Sequence, residues 1–107
     1  MLSEDSFAVP EMLRRTVEKF SQREGVKGIL VCDKEGLTLQ SNLPTADAET
    51  ISAHVASLVT KVYRVAEAIG KGSLSSIFIE MMQHEVLLTP DPESGFTIVV
   101  LKEKGVS

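Results

Sequence analysis

Phe96-Thr97-Ile98-Val99-Val100-Leu101 is the run on which the fold turns. In an extended chain its apolar side chains fall on both faces: Phe96, Ile98 and Val100 on one, Val99 and Leu101 on the other. A strand apolar on both faces is shielded on both. It belongs in the middle of a sheet with cover above and below. The rest of the chain has to supply that cover.

Working back from this run, the patterns come in a definite order. Val9, Leu13, Val17 and Phe20 recur at helical spacing, with Met12 beside them. Pro10 suits the first turn of that helix, where its missing N–H has no partner to lose, and Gly25 suits its stop. Val26 to Cys32 is a β-branched run that predicts strand one. Asp33-Lys34-Glu35-Gly36 predicts a turn, and Leu37 to Ser41 a returning strand two. Asn42-Leu43-Pro44 breaks the pattern. Thr45 then suits an N-cap for a second helix from about Ala46 to Ile69, with Asp47 and Glu49 favourable to its dipole and Gly70 as its stop. Leu74 to Met81 and Glu85 to Thr89 predict strands three and four. The expected product is one α+β domain over residues 9–102, with a helix for each face of the sheet. Residues 1–8 read as a loose leader and 103–107 as a polar tail.

The second helix carries more apolar surface than a sheet requires. Ile51, Val55, Leu58, Val59, Val62, Val65, Ala66 and Ile69 form one arc. Ser52, Ala56 and Tyr63 form a shoulder whose small residues would admit a second helix. Strand three is apolar as well: Ile77, Ile79 and Met81 alternate with Phe78 and Met82, and Glu80 is its only charge. At a sheet edge such a strand invites pairing with another chain. The expected dimer interface is therefore Ser52, Ala56, Val59, Tyr63, Ile77, Phe78 and Ile79.

Bulk properties narrow the function. The 107 residues make one domain, and 43% hydrophobic content with 5% aromatics and no Trp leaves packing to aliphatic side chains. The net charge of -4 argues against binding nucleic acid or anionic lipid. Cys32 is the single cysteine, so no intramolecular disulfide forms, which fits a reducing compartment. The N-terminus lacks a signal-peptide layout, no lipidation motif is present, and no apolar run reaches membrane-spanning length. A soluble cytoplasmic protein is expected, without direct membrane insertion.

Candidate chemistry is sparse. Cys32 and His84 are the only pair that could suggest nucleophilic catalysis, and a cysteine ending an apolar strand packs as a small hydrophobe. His54 and His84 lack the spacing of a zinc site. Asp33 is explained by its turn, and Met81-Met82 by packing. Gly70-Lys71-Gly72-Ser73 leaves a helix and enters a strand, the reverse of a phosphate-binding loop. No catalytic, metal or cofactor residue is expected. A small-molecule sensor or enzyme of this shape would need a buried polar cavity, for which the apolar arcs leave few polar residues.

Two hairpins carry a family resemblance. Gly25-Val26-Lys27-Gly28-Ile29-Leu30-Val31-Cys32-Asp33-Lys34-Glu35-Gly36 resembles the first hairpin of the roadblock family of dynein light chains, with its strand, turn and strand after the first helix. His84-Glu85-Val86-Leu87-Leu88-Thr89-Pro90-Asp91 followed by Phe96-Thr97-Ile98-Val99-Val100 resembles the family's last hairpin. The likeness spans roughly Met12 to Lys102. It implies an α-β-β-α-β-β-β domain with a five-stranded antiparallel sheet, and dimers joined through third strands and second helices. It implies a non-enzymatic adaptor that pairs with itself or a paralogue. Its leading role is a light chain binding a dynein intermediate chain, with a cytoskeleton-associated location in the cell. The alternative is a scaffold for Rag-type or other small GTPases, like the Ragulator subunits or prokaryotic GTPase regulators, reaching a lysosomal or endosomal surface through partners. Some members add a C-terminal helix, for which this chain ends too soon.

Overall fold

A computed structural model describes residues 4–105, with side chains from residue 10. Its elements are α1 (Glu4–Ser21), β1 (Val26–Cys32), β2 (Thr38–Ser41), α2 (Thr45–Ile69), β3 (Ile77–Glu80), β4 (His84–Pro90) and β5 (Thr97–Glu103). The five strands form one sheet in the order β2-β1-β5-β4-β3. Every neighbouring pair is antiparallel. β5 is the central strand, as its two apolar faces require.

Alternation along β1 and β5 divides the core into two layers. Leu30, Cys32 and Val99 meet Leu88 and the α2 residues Ala48, Val55 and Val59 on one face. Ile29, Val31 and Val100 meet Val17 of α1 on the other. Each helix thus covers one face, and the sheet separates the two clusters.

Element ends differ from expectation for identifiable reasons. α1 begins at Glu4, so residues 4–8, expected as a loose leader, are helical backbone. Pro10 lies inside the helix rather than at its start. Its ring costs one backbone bond, to the Ser6 carbonyl, and so weakens the turn before it without ending the helix. Residues 1–3 of the expected leader and 106–107 of the tail lie outside the described residues.

Pro44, not Thr45, is the N-cap of α2, and no side chain caps it. Ala48 N–H already bonds the Pro44 carbonyl at 3.0 Å, which places Thr45 in the first turn. Gly70 ends α2 as predicted, with φ 68° and its N–H bonded to the Ala66 carbonyl. β2 starts one residue late because Leu37 is held in the turn, its N–H donating to Asp33 Oδ1 at 2.9 Å. β3 is half its expected length, pairing only from Ile77 opposite Leu88 to Glu80 opposite Glu85. Further pairing toward Ser75 would run into Pro90, which has no N–H to donate. β4 and β5 run slightly longer than predicted, each bonded to the other from His84–Glu103 to Pro90–Thr97.

The β1–β2 turn illustrates how a glycine fits here. Gly36 has φ +90°, and a Cβ there would lie 3.1 Å from the Ala53 Cα of α2. Backbone cannot move aside as a flexible side chain can. Gly36→Ala is therefore expected to cost about 1–3 kcal/mol, from a left-handed backbone and crowding against α2 together. Urea unfolding would show a lower midpoint with an unchanged slope.

Candidate functional site

The residues singled out for chemistry are dispersed. Cys32 is fully buried, opposite Thr97 in the β1–β5 ladder. His84 pairs with Glu103 at the far end of β5. Six positions separate Thr97 from Glu103, about 20 Å of strand, so the two side chains form no dyad. Burial, followed by the nearby Asp33 charge, pushes the Cys32 thiol up to about 11. The folded chain therefore keeps this proton where an unfolded thiol, near 9, gives it up. Its contribution to stability is complete below pH 9 and is lost as pH rises toward 11. Native protein at pH 8 is expected to react with a thiol reagent only as fast as it unfolds, and alkaline unfolding is expected to ease in that window.

The other candidates have local work. Asp33 Oδ1 accepts N–H bonds from Glu35 at 3.0 Å and Leu37 at 2.9 Å, which spends its carboxylate on the turn. Asp91 likewise accepts from Glu93 N–H at 3.2 Å and Ser94 Oγ at 2.9 Å. A cleft of about 400 Å³ lies between these turns and α2, bordered by Lys34, Tyr63 and Arg64. The Tyr63 hydroxyl beneath it has no hydrogen-bond partner among the described residues. His54 is exposed on α2. No group of three His, Cys, Asp or Glu side chains among the described residues could hold a metal ion. Among those residues no helix is long and apolar enough to cross a membrane.

What remains is an apolar surface, whose expected helical residues are placed as follows in the single chain. Ser52 is completely buried, its Oγ 2.6 Å from Thr38 Oγ1, and Val59 is in the α2-side core. Neither reaches a surface in the single chain. Ala56 and Tyr63 are half-buried and border the cleft by Lys34 and Arg64. The proposed shoulder therefore faces the sheet and the two turns. The open flank of α2 lies one residue back in sequence, about 100° round the helix. It consists of Leu58, Val62, Val65 and Ile69. Val65 is 57% exposed and Ile69 63%.

This flank looks toward β3. Ile51 and Leu58 share an apolar cavity of about 390 Å³ with Ile79, Met81, Val86 and Leu101. β3 is the last strand of the sheet, so its outward N–H and C=O groups have no strand partner among the described residues. Ile77 and Ile79 turn toward the α2-side core, and Phe78, 57% exposed, turns to the other face. The only charge on the strand, Glu80, is bonded to Lys104 at 2.9 Å. The Ile51–Leu58 part of an apolar helix flank thus adjoins β3, the edge strand of the sheet. The recurrence of apolar residues at 51, 58, 62, 65 and 69 is the signal in the sequence that marks this flank.

Comparison with known proteins gives the surface a context. A family model described as the Roadblock/LC7 domain matches residues 12–102. An uncharacterised protein of Methanocaldococcus jannaschii is 33% identical over 94 residues, which are 87% of this chain and 82% of that one. Among solved structures, a Roadblock/LC7 domain from Streptomyces avermitilis is similar with a TM-score of 0.77 at 14% identity, covering 90% of this chain and 79% of that one. Myxococcus xanthus MglB has a TM-score of 0.75 at 19% identity, covering 100% of this chain and 78% of its own. The two structures show the fold.

Proposed function

Because this chain belongs to the Roadblock/LC7 domain family, a family of small adaptors and regulators, we propose that it is a non-enzymatic dimerising adaptor that regulates a small GTPase. The observation that carries this reading is that Leu58 of the α2 flank shares an apolar cavity with Ile79 of β3, the free edge strand, while Val65 and Ile69 are exposed further along the same flank. Two chains related by a two-fold axis would bury both at once. β3 would meet β3 to continue the sheet, and the α2 flanks would pack beside each other. The composite surface would then hold a larger partner. Chemistry on a substrate is not what these residues are arranged for: the titratable groups singled out are dispersed, and the Asp33 and Asp91 carboxylates beside the cleft at Tyr63 serve their own turns.

The choice of partner class follows the relatives. The compared proteins come from prokaryotes, and the prokaryotic side of the roadblock resemblance is that of small-GTPase regulators. A dynein intermediate chain, the partner first expected, draws support from the family alone. Affinity purification with a tagged copy, identified by mass spectrometry, separates the two. Recovery of a small GTPase supports the regulator. Recovery of dynein intermediate and heavy chains would replace it with a motor subunit.

A further inference from the structure

The cleft beside Tyr63 combines features that the adaptor reading does not use. It lies between the β1–β2 turn, the β4–β5 turn and α2, and its volume of about 400 Å³ suits a small molecule. Val59 and Phe96 give it apolar walls. Two hydroxyl-bearing residues join them. Thr97, 5% exposed, is on the α2 side of β5, as Val99 is two residues on. Tyr63 packs against the α2-side core, and its buried hydroxyl has no partner among the described residues. A buried hydroxyl without a bond is a cost to the fold that a bound polar group removes.

Both signs of charge border the same cleft. Asp33 and Lys34 come from the first turn, Arg64 and Glu67 from α2, and Asp91 from the second turn. Among the described residues the ion pairs all involve other side chains, so these cations and carboxylates stand apart. The stem of Lys34 reaches toward the second turn: a Cβ on Gly95 would lie 3.7 Å from Lys34 Cδ. The Asp33 and Asp91 carboxylates accept hydrogen bonds within their turns, which fixes their positions and leaves their charge in place.

These features select among ligands. A purely anionic molecule meets the carboxylates, and a purely cationic one meets Lys34 and Arg64, so each brings like charges together. A purely apolar molecule leaves the Tyr63 hydroxyl unpaired. We propose that the cleft binds a small zwitterion with an apolar body, the class of a free amino acid with an aliphatic or aromatic side chain. Its carboxylate lies toward Lys34 and Arg64, its ammonium toward the acidic side chains, and its body against Val59 and Phe96. One of its polar groups takes the bond that the Tyr63 hydroxyl lacks. Ala56 and Tyr63 are on the flank of α2 opposite Val65 and Ile69, so the site stands apart from the adaptor reading and leaves self-pairing free.

The test titrates L-phenylalanine and L-leucine into the isotopically labelled full chain, each beside its C-terminal amide and its N-acetyl derivative. At about pH 6 the α-amino groups are protonated, so the amide is cationic and the acetyl derivative anionic. Amide chemical shifts report the binding. At least one free amino acid is expected to bind about tenfold or more tightly than both its derivatives, with shifts at the two turns and around Tyr63. Tyr63→Phe should weaken that binding about three- to tenfold and leave the circular dichroism of the ligand-free chain unchanged. Lys34→Ala with Arg64→Ala should weaken the free and acetylated forms and spare the amide. No shift with either free amino acid, equal affinity for a free form and its derivatives, or shifts that map away from the cleft would each overturn the proposal. So would a Tyr63→Phe chain that binds as tightly as the wild type, because water would then serve the hydroxyl.

Discussion

Val65→Asp is expected to halve the particle mass measured by light scattering at micromolar concentration. Val65 is 57% exposed in the single chain and belongs to neither core cluster, so the substitution leaves the monomer's packing intact. At a two-fold contact the new carboxylate would face its own copy in an apolar surrounding. A buried unpaired charge and a like-charge neighbour both oppose association, so a weakening of at least about 100-fold, close to 3 kcal/mol, is reasonable. Far-ultraviolet circular dichroism should not change. Ala56→Arg serves as the contrast. Ala56 lies on the other flank, by Tyr63 and Arg64, and its replacement should leave the mass as it was. The opposite result, dissociation by Ala56→Arg and none by Val65→Asp, would return the contact to the shoulder of Ser52, Ala56, Val59 and Tyr63. A wild-type monomer would remove self-pairing and leave pairing with a paralogue.

Leu88→Ala should be the most damaging single change to the fold. Leu88 has no exposed surface, pairs with Ile77 and Val99, and sits in the α2-side core. Truncation removes three carbons where the sheet backbone on both sides prevents collapse into the space. A loss of about 2–5 kcal/mol is expected, against a total of about 5–15 for a domain of this kind. The thermal midpoint would fall by on the order of 15 °C. Leu87→Ala, one residue earlier, should lose under about 1 kcal/mol, because Leu87 faces the open side of the sheet and is 38% exposed. Calorimetry on the pair therefore measures the difference between the two sheet faces at β4. Comparable losses would mean that Leu87 is covered in solution.

Much of the fold could be read from short-range pattern. β1 occupies the predicted residues, and Gly36 and Gly70 take the left-handed backbone their positions suggested. The two apolar faces of β5 placed it at the centre of the sheet, whereas β3, apolar on both faces as well, is shown to be an edge strand only by the sheet order. Element ends were harder, since they depend on bonds to distant partners. The length of β3 is limited by Pro90 on β4, and the start of β2 by the Asp33 side chain. α1 begins upstream of Pro10, which a helix tolerates near its start for the loss of one bond.

The interaction surface marks the boundary between the two kinds of information. Period two along a strand assigns each side chain to a face, and the apolar faces of β1 and β5 could be assigned from their residues alone. Period 3.6 along α2 ranks its residues around the helix axis in the same way. What it leaves open is the rotation of that axis against the sheet. An arc broad enough to cover a sheet and meet a second helix can be turned either way, burying Ser52 and Val59 or exposing them. Long-range contacts decide it: Thr38 of β2 bonds Ser52, and Cys32, Leu88 and Val99 pack with Val55 and Val59. Those contacts join residues far apart in the chain, and they leave Leu58, Val65 and Ile69 on the open side of α2, with Leu58 beside Ile79 of β3.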